Sequence, residues 1–153
     1  MISRRTFILL SVFSGAAHAQ LPPNIAAQRK HALDEAMRKV TGSAAVRRGR
    51  VKLDLPPLID NGNSVPLAVT VESPMTAADH VRAIHVFTEK NPQPNVLSAH
   101  FTARSGRAAV STRARIADSG QVTAIAQMSD GSFWSDSVQV IVTLSACLED
   151  GLI

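Results

Sequence analysis

Residues 122–144, VTAIAQMSDGSFWSDSVQVIVTL, decide the fold class. Val122 to Met128 alternates in phase, as a strand with one buried face does. Ser129-Asp130-Gly131-Ser132 follows as a tight-turn signal. Phe133 to Leu144 is then a second, longer strand. Val138, Val140, Val142 and Leu144 share its core phase. Gln139, Thr143, Ser145 and Cys147 take the opposite phase, with Ile141 as the one apolar interruption. Two such runs about a short turn make an antiparallel hairpin.

The same period of two extends upstream. Val51 to Leu55 alternates and is ended by Pro56 and Pro57, and Asp60-Asn61-Gly62-Asn63 is a strong turn. Val65, Leu67, Val69 and Val71 share one face of the next strand. In Val81 to Thr88, Ile84 and Val86 share one face, and Val81, Ala83 and Phe87 the other. Apolar residues on both faces of these two strands imply cover by another element or chain. Asn91-Pro92-Gln93-Pro94 is a loop. Val96 to Ala103, a turn at Ser105-Gly106 and Ala108 to Ile116 read as a further hairpin. About seven short strands at this spacing predict an all-β antiparallel sandwich or barrel, and no βαβ pattern competes. One short helix precedes them, from about Ala26 to Val40. Ala27, Leu33, Ala36, Met37 and Val40 form a narrow apolar stripe that suits the rim of the domain, and Gly42 is the stop.

The first nineteen residues read as an export signal of the twin-arginine type. Arg4-Arg5 precedes the apolar run Phe7 to Phe13, which is too short to span a membrane, and Ala17-His18-Ala19 supplies small residues before a cleavage site at Gln20. The division expected is 1–19 signal, 20–144 sandwich with its helix, and 145–153 a C-terminal cysteine arm. The mature protein is expected in the periplasm, with no membrane segment. The chain carries a net charge of +4; without Arg4 and Arg5, 14 basic residues face 12 acidic ones. That balance is too weak for a nucleic-acid surface.

The residues carry no phosphate loop, dinucleotide fingerprint, nucleophile elbow or paired metal-ligand motif, so neither an enzyme nor a cofactor is expected. His80 and His85 are five apart, which sets them on opposite faces of a regular strand. Asp130-Gly131 reads as a hairpin turn before a calcium loop. Arg104, Arg107, Arg113 and Arg115 form a basic stretch around one hairpin, either a solvated face or a docking edge for an anionic partner. The single cysteine, Cys147, stands six residues from the chain end. Two readings are open: a free thiol that carries a covalent group between partners, or a thiol covered by Leu148, Leu152 and Ile153.

Several stretches occur in an order that resembles the SoxY family of the sulfur-oxidising Sox system. They are Asn61-Gly62-Asn63-Ser64-Val65-Pro66-Leu67, Glu72-Ser73-Pro74-Met75-Thr76, Glu89-Lys90-Asn91-Pro92, His100-Phe101-Thr102, Ser111-Thr112-Arg113-Ala114-Arg115 and Met128-Ser129-Asp130-Gly131-Ser132. The resemblance covers about residue 30 to Cys147. It implies an immunoglobulin-like sandwich paired with a second sandwich, SoxZ, and no catalysis by the chain itself. It implies that Cys147, after Val142-Thr143-Leu144, holds thiosulfate-derived sulfur covalently on a swinging arm that visits partner enzymes. Among these are a haem-containing SoxAX protein, which loads it, and the SoxB hydrolase. The alternative is a non-covalent interaction subunit of a SoxYZ-like complex in which the cysteine is structural.

The arm departs from the usual Gly-Gly-Cys-Gly-Gly. Ser145-Ala146-Cys147-Leu148-Glu149 is more similar to a SoxY-related subgroup whose arm reads Ala-Ala-Cys-Ile-Glu. Ala146 and Leu148 are stiffer and bulkier than glycine. Glu149 and Asp150 set negative charge beside the thiol, which disfavours the thiolate and repels anions.

Overall fold

The computed structural model describes residues 23–143. Helix α1 (Pro23–Thr41) is followed by strands β1 (Val46–Arg48), β2 (Val51–Asp54), β3 (Leu58–Ile59), β4 (Val65–Val71), β5 (Val81–Thr88), β6 (Asn95–His100), β7 (Ala109–Ala114), β8 (Gly120–Met128) and β9 (Phe133–Val142), with a 3-10 turn at Ala103–Ser105. The larger sheet runs β1-β9-β8-β5-β6, with β3 also paired to β9; the smaller runs β2-β4-β7. Between them lies one apolar core that includes Val65, Leu67, Val69, Ile84, Val86, Ile116, Val122, Ala124, Val140 and Val142. The expected all-β sandwich with one N-terminal helix is therefore the fold.

Over the described residues the quoted hairpin forms; the phase read for Leu144, Ser145 and Cys147 lies outside them. Strands β8 and β9 pair antiparallel from Gly120↔Val140 to Gln127↔Phe133. Gly131 closes the turn at φ +83°, and the Asp130 carboxylate accepts from the Ser132 N–H at 2.8 Å. Val140 and Val142 are buried and Gln139 is exposed, as the alternation requires.

Two strands were not legible. β1 and β3 both pair with β9, and both pairings are parallel, one at Phe133–Ser135 and the other at Ile141–Val142. Between them the chain leaves the larger sheet, joins β4 as β2, and returns. The exit corner is Gly49 at φ +114°, a conformation open to glycine, followed by Arg50 at φ +56°. The Arg47 and Arg50 guanidinium groups lie 5.7 and 5.6 Å from the centre of the Trp134 ring, on β9, the partner of β1. Arg50 also pairs with Asp79 at 3.4 Å. On the exposed side of β2 the Leu53 N–H has no strand to bond. It donates to the Asp136 carboxylate of β9 at 2.9 Å, a direct tie between the sheets.

Two sequence expectations need correction. Residues on either side of Ser105-Gly106 do not form a hairpin: β6 pairs with β5, whereas β7 pairs with β4 in the other sheet. The 3-10 turn, capped by the Thr102 and Ser105 hydroxyls, carries the chain across. Val81 does not share the face of Phe87. A register shift between Val81 and Ala83 turns Val81 into the main core, while Phe87 faces outward. That outer face is covered by α1. Leu33, Ala36, Met37 and Val40 pack on Phe87, Ile125 and Phe133, while Ala27 is exposed. So an element of the same chain provides the cover that β5 calls for. β4 is buried on one face only.

Replacing Asp136 with Ala removes the acceptor for Leu53 and for the Ser137 N–H, bonded at 2.9 Å. A charge-assisted bond to a part-buried donor supports a loss of about 2 kcal/mol. Urea unfolding of the purified variant is expected to show a lower midpoint with an unchanged slope.

Candidate functional site

The site begins where β9 ends. Val142 is held from two sides: its N–H donates to the Ser119 hydroxyl at 2.8 Å, and that hydroxyl donates to the Val142 carbonyl at 3.4 Å. On the other edge the Ile141 N–H donates to the Pro57 carbonyl at 2.8 Å, and the Thr143 N–H to the Ile59 carbonyl at 2.9 Å. The Thr143 hydroxyl adds bonds to the Ile59 and Asp60 carbonyls at 3.4 and 3.3 Å. The chain is thus fixed through Thr143. Cys147, Glu149 and Asp150 lie outside the described residues, as do residues 1–19, which were read as an export signal. Three residues separate Thr143 from Cys147, so covalent geometry alone limits the Cys147 Cα to within roughly 15 Å of the Thr143 Cα.

Strand register shows which groups share that end of the sandwich. Ala114 pairs with Val65 and Ala109 with Thr70, so β7 brings its C-terminal end to the arm base and its start to the far end. The basic stretch is therefore split. Arg113 and Arg115 stand at the arm end, Arg104 and Arg107 beyond the opposite end, with roughly 20 Å of strand between Arg107 and Arg113. Arg113 donates to the Ser64 carbonyl at 3.1 Å and is exposed. Buried Asn91 braces the same end: its amide donates to the Arg115 carbonyl at 2.8 Å and its oxygen accepts from the Ala117 N–H at 2.7 Å. Sequence reasoning took Asn91 for an ordinary loop residue. Its signal, a polar residue that fastens two loops, has no period to find.

Other conspicuous residues are also fasteners. Met75, at φ +51° and buried, accepts from the Val81 N–H through its sulfur at 3.5 Å. Ser129 accepts from the His80 N–H at 3.1 Å and donates to the Ala78 carbonyl at 3.2 Å. His80 and His85 do not meet. His85 instead bonds the Ser98 hydroxyl through Nδ1 at 2.8 Å and sits edge-on to His100, with ring centres 6.0 Å apart. Burial, and then the charge of His100, hold the His85 imidazole below its ordinary value of 6.5. Asp130 is held below the usual carboxylate range by its bonds from Ser132, as a hairpin residue is. Among the described residues, no group of three or more His, Cys, Asp or Glu converges to hold a metal ion, and no helix is long and apolar enough to cross a membrane.

The described residues define a class: a two-sheet β-sandwich whose last strand is anchored on both edges. Comparison narrows it. The family profile described as sulfur oxidation protein SoxY matches residues 37–147, a span that ends on Cys147. The sulfur carrier protein SoxY from Chlorobium limicola f thiosulfatophilum superposes with a TM-score of 0.63 at 26% identity, over 75% of this chain and 99% of that one. A superoxide reductase (neelaredoxin) from Ignicoccus hospitalis gives 0.54 at 19% identity, over 61% of this chain and 80% of that one. The superoxide reductase from Nanoarchaeum equitans gives 0.53 at 11%, over 63% and 100%. These two likenesses are of fold alone. A search of curated proteins found no match. The chain belongs to the SoxY family.

The described domain gives a pH prediction. A buried histidine with a lowered value binds its proton less readily folded than unfolded. Its neutral form is fully accommodated above the unfolded value of about 6.5, and stability falls as pH drops below that, through the folded value. The thermal unfolding midpoint is expected to fall between pH 7.5 and pH 5.5, and His85→Gln, which retains a partner for Ser98, is expected to flatten that slope. An unchanged slope in the variant would assign the dependence to other groups.

Proposed function

We propose that this protein is a periplasmic sulfur carrier that holds a sulfur compound covalently on Cys147 and presents it to partner enzymes. The observation that carries the reading is the joint position of the family match and the anchored strand. The match runs to Cys147, and the last described residue, Thr143, is bonded to β3. A carrier needs a fixed base and a short tether, because the cargo must enter a partner's site while the domain docks outside it.

The chemistry asked of Cys147 is simple. Joining its sulfur to the outer sulfur of a thiosulfate-like compound forms an S–S bond and releases the thiol proton and two electrons. A haem-containing partner of the SoxAX kind is the electron acceptor. Hydrolytic removal of the oxidised sulfur belongs to a SoxB-like enzyme, and a SoxZ-like sandwich is the paired subunit. No catalytic group is required of the carrier.

Intact-mass measurement of protein purified from its host tests the reading. A sulfur adduct on the C-terminal peptide, removed by a thiol reductant and absent from Cys147→Ser, is the expected result. An unmodified thiol in cells oxidising sulfur compounds would favour the non-covalent subunit of a SoxYZ-like complex.

The location rests on Arg4-Arg5 and the Ala17-His18-Ala19 site. Changing both arginines to lysine is expected to leave a cytoplasmic precursor on fractionation. Normal export would assign the chain to the general secretory route.

A further inference from the structure

Strand register brings six arginines to one end of the sandwich, the end opposite Thr143. Arg47 and Arg48 lie in β1, which pairs with the start of β9. Arg50 and Arg107 stand just beyond the smaller sheet, on either side of Glu72. There the Glu72 N–H donates to the Arg50 carbonyl at 2.7 Å, and the Val71 N–H to the Ala108 carbonyl at 2.9 Å. Arg82 lies near the start of β5, and its carbonyl accepts from the Phe101 N–H at 2.8 Å, next to the 3-10 turn that holds Arg104. Arg50 is partly exposed and the other five are exposed. Against these six stand three carboxylates, Glu72, Asp79 and Asp130. The Thr143 end is balanced instead: Lys90, Arg113 and Arg115 face Asp60, Glu89 and Asp118.

Two of the six are held ready. Arg47 and Arg50 both lie over the Trp134 ring, whose N–H donates to the Ser132 hydroxyl at 3.2 Å. A stacked guanidinium keeps its edge donors for a ligand and loses less freedom on binding than a loose side chain. The interspersed carboxylates decide the kind of partner. A bilayer of anionic headgroups is negative throughout and would meet exposed Glu72 and Asp130. A folded surface can set cations against these and carboxylates against the arginines, which fixes the pose of the pair. Arginine is also the cation that protein interfaces favour. Val46 is the one large apolar side chain exposed at this end among the described residues, too little to enter a membrane. We propose that the arginine-rich end is a docking surface for an acidic protein partner, which holds the domain while the Thr143 end stays free. The inference goes beyond the carrier reading, because it concerns the end of the domain away from the residues that lead to Cys147.

Trp134 is the only tryptophan of the chain, and two of the arginines lie over it, so its fluorescence reads occupancy of this end. The mature chain is titrated with a decaglutamate peptide, a probe for a carboxylate-rich surface, at about 20 mM salt, where exposed charges are weakly screened. Saturable binding is expected. Arg48→Gln and Arg107→Gln are each expected to weaken it roughly two- to fivefold, the range of an exposed ion pair. Glu72→Gln is expected to strengthen it. Arg113→Gln removes the same charge at the other end and is expected to leave the affinity unchanged. All four side chains are exposed, so the domain is expected to keep its unfolding midpoint. Absence of binding would overturn the proposal, and so would equal weakening by Arg113→Gln, which would reduce the effect to net charge. Vesicles of phosphatidylglycerol that bind through the same arginines would overturn it in favour of a lipid surface. Loss of the peptide signal once the chain is paired with a SoxZ-like subunit would overturn it in favour of that pairing. None of these outcomes depends on the adduct found in host-purified protein, so the carrier reading can fail or survive separately.

Discussion

Everything in this sandwich depends on how the second edge of β9 is satisfied. One edge pairs with β8 along its length. The other would present a row of free N–H and C=O groups, the usual liability of an edge strand. The chain covers it in two short stretches, β1 at the start and β3 at the end, and in passing between them it must cross to the other sheet as β2. The crossing explains the positive φ at Gly49 and Arg50, the proline pair after Leu55 and the bond from Leu53 to Asp136. It also sets how far along the chain the last strand is anchored. Without β3, Thr143 would lose its backbone acceptor at Ile59, and the anchored length of the chain would end earlier.

The two sheets solve burial differently, and the sequence pattern follows. β4 faces the core with Val65, Leu67, Val69 and Val71, and Pro66 and Thr70 are exposed. β5 is central in a sheet covered on both faces, so from Ala83 to Thr88 every residue is buried. The buried polar members, His85 and Thr88, each keep a bond: His85 with Ser98, and the Thr88 N–H with the Pro94 carbonyl at 2.9 Å. A polar group in such a place is tolerated only when paired. Burial accordingly favours the neutral form of His85.

The main strands were legible because burial on one face imposes a period of two, and the turn at Ser129–Ser132 because Asp and Gly have defined conformational roles. β1 and β3 were not. Val46–Arg48 is exposed throughout, so it shows no alternation, and Leu58–Ile59 is two residues long between a proline pair and a turn. Their pairing is decided by β9, some eighty residues away, through backbone bonds that no side-chain pattern records. The same blindness misplaced Val81, where a bulge shifts the phase, and joined β6 to β7 as a hairpin. A turn signal marks that the chain bends, but not into which sheet. For the arm, chain position marked Cys147 as unusual, yet sulfur carriage came from the resemblance. Strand register then separated the four arginines that sequence had gathered.

The fold itself does not choose the chemistry. The same sandwich superposes on superoxide reductases at 11% and 19% identity, where only the architecture is shared. Function on a common scaffold belongs to the groups placed on it. In this chain the described domain gathers no ligand cluster, and its buried polar residues serve as braces between loops and sheets. The feature that sets the chain apart is appended: a strand anchored on both edges, continued by a segment that contains its only cysteine. On the proposed carrier reading, a thiol this near Thr143 in sequence requires the domain to dock close to each partner's site. On that reading selectivity rests on the domain surface near Thr143, with Arg113, Arg115, Leu58 and Ile141 at that end, and reactivity on the residues beside Cys147. The two properties can vary independently, because the first set of residues belongs to the sandwich and the second lies beyond Thr143 in sequence.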